Sequence, residues 1–265
     1  MPLSPLIASV LNDDSRHRVS WVTSISMGDF VAYADEAARS EKKRSIIKEA
    51  VLPWKLKENE LKKQWEDDED GFSKLPARAW PPHQPDADEQ AELETQYIAC
   101  EEKKGKGECE EIAFNLATCL VFNNLDPGRG LNLYKQMAAN GHVDSTVAAG
   151  IVLLEGLGVD FDEKTGLKYL TNKKSLGSAQ GAYEYASAIY TGLCDVSEPE
   201  KEAFKLFRQC AAKMHTGGLF LTAEMIFMEE KGVEGDLKDA VPLFAAAAER
   251  GHRMSRQRMR EFFKY

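Results

Sequence analysis

No stretch of this 265-residue sequence approaches the roughly twenty uninterrupted apolar residues that span a bilayer, and its most apolar run, "AVPLFAAAA" at 240–248, is short and alanine-rich. That predicts a soluble chain with no transmembrane segment, although peripheral association with a membrane stays open. Positive charge is in deficit: 34 lysines and arginines face 43 acidic residues, for a formal charge of -9. Phosphate is repelled by such a balance, so bulk nucleic-acid binding is not expected. The N-terminus, "MPLSPLIASVLNDDSRHRVSW", lacks a basic segment followed by an apolar run and a small-residue cleavage site. A cleaved leader is therefore not expected either.

Tryptophan is missing from everything after residue 80; the four present are Trp21, Trp54, Trp65 and Trp80. Cysteine is sparse and odd in number, at Cys100, Cys109, Cys119, Cys194 and Cys210. Three of the five fall within twenty residues, a clustering that chance alone also produces. With 43% hydrophobic residues the chain nevertheless has enough apolar mass for a core.

What is present is an internal repeat. Aligning Tyr134, Leu170, Phe207 and Phe244 brings the flanking residues into register at spacings of 36, 37 and 37. Each block holds two apolar-periodic segments of about a dozen residues separated by a Gly/Asp turn, which is the pattern of a helical hairpin. In the third block Tyr185, Ala186, Ile189 and Tyr190 form one stripe, and Ala203, Phe204, Phe207 and Ala211 the other. Small residues share a column at Gly130, Gly166, Ala203 and Ala240, where two helices are expected to approach closely.

The turns carry signals of their own. Asp126 before Pro127, and Ser197 ahead of Pro199, read as N-caps with proline in the first turn. Gly141, Gly177 and Gly251 share a column suited to a left-handed C-cap, which Met214 occupies in the third block. Pro242 lies inside its helix if the cap is Asp236, and in the first turn if the cap is Asp239. Tyr97 lies 37 residues before Tyr134, so "ADEQAELETQYIACEE" (87–102) reads as the second helix of an earlier, degenerate repeat. At the other end "RMSRQRMREFFKY" reads as a capping helix with Met254, Met259 and Phe262 on its apolar side.

The expected organisation is thus all-α: an N-terminal extension over residues 1–86 and a repeat array over 87–265. A lone hairpin cannot bury both faces, so stacked neighbours supply the core as in an α-solenoid. In the extension, residues 35–70 are highly charged and predict exposed helices broken near Pro53, after which Pro76, Pro81, Pro82 and Pro85 impose an extended linker.

The columns resemble the Sel-one-like repeat, a relative of the tetratricopeptide repeat. The matching stretches are "AAGIVLLEGLGVDFDEKTGLKYL" (148–170), "KDAVPLFAAAAERGH" (238–252) and "GLNLYKQMAANGH" (130–142). The third block departs from the pattern, with "TGLCDVSEPE" in place of the glycine-rich turn, and the second has Lys173 and Lys174 where small residues are usual. The resemblance spans about residues 87–265 and implies the architecture while saying almost nothing of activity; no cofactor is expected.

Nothing in the sequence reads as catalytic. His142, His215 and His252 share one column after the second helix, and His17 and His83 have no acid or thiol at ligand spacing, so no metal site is expected. There is no G-x-S-x-G, and the glycines of "GLGVD" and "GRG" lack the Lys-Ser/Thr of a phosphate loop. The chain is therefore read as no enzyme. Arg253, Arg256, Arg258 and Arg260 form a basic cluster that reads either as a solvated cap face or as a docking surface. The four tryptophans read either as a small local core or as interface anchors. Both sets are taken as candidate protein-binding residues.

Cys100 and Cys109 bracket a charged turn between two repeats, and a bridge there would close a loop of about ten residues. "ACEEKKGKGECEEIAFNLA" resembles cysteine-rich Sel-one-like proteins, including secreted bacterial ones and a mitochondrial intermembrane-space assembly factor, which place a cysteine pair across this turn. If the pair is oxidised, the mitochondrial intermembrane space is the favoured compartment; if reduced, the cytosol is equally suitable. The leading reading is a non-catalytic structural or accessory subunit of a large assembly, mitochondrial, with the respiratory chain as one setting for it. The alternatives are a transient adaptor or assembly factor for a metalloenzyme, and an enzyme exchanging thiols through Cys100 and Cys109.

Overall fold

Capping residues decide where this chain turns, and helices fill the intervals between them. The computed structural model describes residues 41–72, 85–103, 106–230 and 232–265, without the side chains of residues 41, 66–72, 103 and 106–108. Among the described residues all regular structure is helical. In order the α-helices are α1 (Glu41–Ala50), α2 (Leu52–Lys55), α3 (Glu58–Phe72), α4 (Gln90–Lys103), α5 (Lys106–Phe122), α6 (Pro127–Ala139) and α7 (Val143–Glu155). They continue with α8 (Glu163–Leu170), α9 (Lys173–Gly177), α10 (Ala179–Tyr190), α11 (Pro199–Ala212), α12 (Thr216–Phe227), α13 (Leu237–Glu249) and α14 (Arg253–Phe262). A 3₁₀ turn at Ala87–Glu89 leads into α4.

Contacts divide the chain into two compact units, with the division between Tyr185 and Ala186 inside α10. This differs from the boundary at residue 86 expected from sequence. The described helices of the extension, α1 to α3, belong with residues 186–265. They share no period with the repeats, so nothing local announces the association.

In the unit that runs from Pro85 to Tyr185, α4 packs on α5, α5 on α6, α6 on α7 and α7 on α8. The repeat columns explain that packing. Tyr134 and Leu170 are both fully buried. A Cβ added to Gly130 would lie 2.6 Å from Val121 Cγ2 and 2.9 Å from the Ala117 carbonyl oxygen, and one added to Gly166 would lie 2.6 Å from Leu154 Cγ. Both contacts are closer than real Cβ atoms tolerate, so these helix pairs need a residue without a side chain. Tyr97 packs against the same core as Tyr134, which places α4 where the 37-residue offset put it. Arg129 and Glu94 form a two-pronged ion pair between α6 and α4, with Nη2 to Oε2 at 2.7 Å, and this guanidinium holds the Glu94 carboxyl below the usual range.

In the other unit α11 packs on α12, α12 on α13, α13 on α14, and α1 lies on α13. Phe207, Phe244, Ala203 and Ala240 are all fully buried, again in the expected columns. Phe220, Phe227 and Phe262 surround Phe244 at ring-centroid distances of 6.0, 6.2 and 5.7 Å. Met259 and Phe262 of α14 are 1% exposed, so the last helix does cover the end of the series.

Several turns differ from expectation. Asp126 caps α6 as anticipated, accepting from the Arg129 N–H at 3.0 Å. At α11, however, the N-cap is Glu198 and not Ser197, because Pro199 takes the first helical position and leaves Ser197 outside. Asp236 caps α13, its N–H donating to Asp239 Oδ2 at 3.3 Å, which puts Pro242 in the helix interior. Gly141 and Gly251 are left-handed, with φ of 96° and 86°. Met214 adopts φ 60° in the same column, a conformation costly for a side chain. Gly177 does not cap in this way: Asn172 accepts from the Lys174 N–H at 2.9 Å and starts the extra short helix α9, which Gly177 ends. The second block's Lys173 and Lys174 fall in that helix.

Candidate functional site

Cys100 at the end of α4 and Cys109 near the start of α5 stand with Cα atoms 5.5 Å apart and sulfurs at bonding distance. The end of α4 and the start of α5 meet here, so the pair is compatible with a disulfide. With nine residues of separation, replacing both cysteines by serine is expected to lower the unfolding free energy by about 2.5 to 3 kcal/mol, the loop-closure value for about ten residues. Urea denaturation with and without reductant checks this, since the reduced protein should reproduce the variant. Cys119 and Cys210 are buried thiols. Cys119 Sγ donates to the Asp86 carbonyl at 3.3 Å, while Asn123 donates to the Pro85 carbonyl at 2.8 Å, so α5 fastens the end of the proline-rich stretch.

The histidine column has a physical explanation that sequence reasoning missed. Each of the three side chains is the N-cap of the following helix. The Ser145 N–H donates to His142 Nδ1 at 3.2 Å, the Gly218 N–H to His215 Nδ1 at 3.1 Å, and the Ser255 N–H to His252 Nδ1 at 3.3 Å. The available signal was the spacing: His142, His215 and His252 each precede Ser or Gly by three residues, the interval at which a cap accepts from the third helical N–H. Nδ1 must be unprotonated to accept, so the ring proton sits on Nε2. Burial pushes His215 and His252 down to about 4, and His252 is lowered further by its neighbour His215.

The C-terminal arginines separate into two kinds. Arg258 is 1% exposed; its Nη2 donates to Glu224 Oε1 at 2.6 Å and its guanidinium lies 4.5 Å from the Phe227 ring centre. Arg256 is 5% exposed, with Nε donating to the Ala248 carbonyl at 3.0 Å. Neither belongs to a docking face, because α14 turns these two positions inward on α12 and α13. Arg253 is exposed, and the half-buried Arg260 lies 6.0 Å above the Trp65 ring.

Trp65, which the sequence leaves as either a core residue or an interface anchor and which stands among the protein-binding candidates, is 1% exposed and stacks on Phe263 with ring centres 6.2 Å apart. It is a core residue because α3 is held against the C-terminus. Trp54 is half-buried beside the exposed Leu52 and Leu56. Trp21 and Trp80 lie outside the described residues.

A second buried polar cluster joins α10 to the end of α12. Tyr190 donates its hydroxyl to Glu230 Oε1 at 2.6 Å. Burial raises the Glu230 carboxyl to about 7 against the pull of this bond, with Glu224 and Glu200 adding to the rise. Glu224 is also raised by burial despite its bond to Arg258. Sequence offered no route to this cluster, since Tyr190 and Glu230 are 40 residues apart on different repeats.

Among the described residues no group of three His, Cys, Asp or Glu side chains is placed to hold a metal ion. No described helix is long and apolar enough to cross a membrane. Comparison with protein-family models finds no match, and comparison with curated proteins finds none either.

Proposed function

We propose that this chain is a non-catalytic protein-interaction scaffold whose helical pairs form an α-solenoid of the Sel-one-like kind, serving as a structural or accessory subunit of a multi-protein assembly. The observation that supports it is the recurrence of one packing solution: Tyr134, Leu170, Phe207 and Phe244, in register along the sequence, are all fully buried between consecutive helices. In such an array the core is built from neighbour to neighbour, and the outward helix faces remain for partners. Exposed Ile98 of α4 and the exposed Leu52 and Leu56 beside α2 are apolar contacts of the sort a partner covers.

The close approach of Cys100 and Cys109 favours an oxidising compartment, and the mitochondrial intermembrane space is our proposal for it. A respiratory-chain assembly is the proposed setting. Crosslinking mass spectrometry on protein purified from its native source is the test. Stoichiometric co-purification with reproducible crosslinks to the same partner proteins is expected. A monomer giving only internal crosslinks overturns the reading.

A further inference from the structure

The helices preceding the repeats make a peculiar ligand for the last ones. Of residues 42–65 only Ile47, Val51 and Trp65 are buried; the others are half-buried or exposed. Lys43, Ile47 and Val51 recur every four residues and so form one stripe along α1 and its end. Lys43 Nζ, at the head of that stripe, donates to the Phe227 carbonyl at 3.3 Å and pairs with Glu229 at 3.2 Å, satisfying the C-terminus of α12. At the far end of the segment Trp65 stacks on Phe263.

The seat is imperfect. A ten-residue helix such as α1 is too short to persist alone in water, so it holds its shape by lying on α13. Among the described residues the buried Trp65 indole N–H has no acceptor, which offsets part of what burying the ring gains. Glu229, which holds Lys43, is 65% exposed, so that ion pair weakens with salt.

We propose that residues 41–65 are a displaceable clasp, an amphipathic segment that occupies in cis a helix-docking groove on α12, α13 and α14. Its recognition chemistry is a stripe of one cation and two aliphatic side chains at four-residue spacing, followed by an aromatic ring. The cation caps the α12 carboxyl end, the aliphatics face α13, and the ring stacks on the C-terminal phenylalanine. Clasp and groove are tethered in one chain, so occupancy in cis is favoured by effective concentration even where the bare contact is modest.

The test keeps the full chain and cuts it at a protease site inserted between Trp80 and Pro85. All four tryptophans then lie on the N-terminal fragment, so tryptophan fluorescence reports that fragment alone, and Trp54 and Trp65 within it lie in the clasp. The fragments should stay together when concentrated and separate on dilution, with a dissociation constant on the order of micromolar that weakens with salt. A synthetic peptide of residues 41–65 should displace the N-terminal fragment, and the same peptide carrying Lys43→Glu or Trp65→Ala should compete at least tenfold less well. The C-terminal fragment should keep its helical circular dichroism after release. Fragments that do not separate on dilution, a C-terminal fragment that unfolds on release, failure of the peptide to compete, or equal competition by the variants would each overturn the proposal.

Discussion

Replacing Arg258 by alanine is expected to lower the unfolding free energy by roughly 3 to 5 kcal/mol, a large share of the roughly 5 to 15 kcal/mol that hold a domain folded. The side chain is 1% exposed and provides the cation for Glu224, whose own side chain is 14% exposed. Deleting it leaves a carboxylate enclosed without its counter-charge and takes the guanidinium from above Phe227 and Phe244. The double variant Arg258→Met with Glu224→Gln should recover much of that loss, because the buried charge goes together with its partner. Chemical denaturation of Arg258→Met, Glu224→Gln and the double variant measures the coupling. A loss below about 1 kcal/mol for Arg258→Ala would show that water reaches Glu224 and that the pair behaves as a surface bridge.

Acidification should destabilise the protein well above the usual carboxylate range. His215 and His252 are lowered in the folded chain to about 4 from an ordinary 6.5, so the folded form binds fewer protons than the unfolded one between those values. Stability from these caps is therefore complete above pH 6.5 and is lost as the pH falls to 4, on the order of 3 kcal/mol for each histidine. Glu230 acts in the opposite sense. Raised to about 7 from 4.5, it favours the folded form at low pH and withdraws that support as the pH rises toward 7. Two histidines outweigh one glutamate between pH 4.5 and 6.5, so these three groups together place the maximum near pH 6.5. His252→Asn keeps an N-cap acceptor that does not titrate, and it should flatten the acid limb of a melting-temperature profile. Glu230→Gln should raise the melting temperature at pH 8 and leave it nearly unchanged at pH 4. An acid limb unaltered in His252→Asn would contradict the neutral-cap geometry.

The repeat columns were readable because they are periodic. Tyr134, Leu170, Phe207 and Phe244 bury one face of successive helices, and Gly130 and Gly166 sit where a methyl group would collide with the adjacent helix. A constraint imposed once per hairpin leaves a spacing that can be counted. Arg256 and Arg258 were not readable in the same way. Arginine in an amphipathic terminal helix usually faces water, and only the three-dimensional neighbours Glu224, Phe227 and Ala248 reverse that preference. The three histidine caps were visible as a column but not as caps, since histidine is an uncommon acceptor for a helix N-terminus. The pairing of α1 and α3 with the C-terminal helices left no trace in the sequence pattern, because Lys43 meets Phe227 across 184 residues. Ser197 and Gly177 depart from their columns for a smaller reason: Pro199 and Asn172 each set a helix start a residue or more away from the one the columns suggest.

Contacts between successive helices close short loops, which is the arrangement that folds quickly. The Lys43 bridge to the end of α12 obeys a different clock. It cannot form until α12 exists and the segment from α1 has searched a loop of 184 residues, so it belongs to a late step with little weight in the transition state. Its loss would then accelerate unfolding and leave the folding rate almost unchanged. Amide protons of α1 should accordingly exchange with solvent before those of α12 and α13, as the first part of the native protein to open.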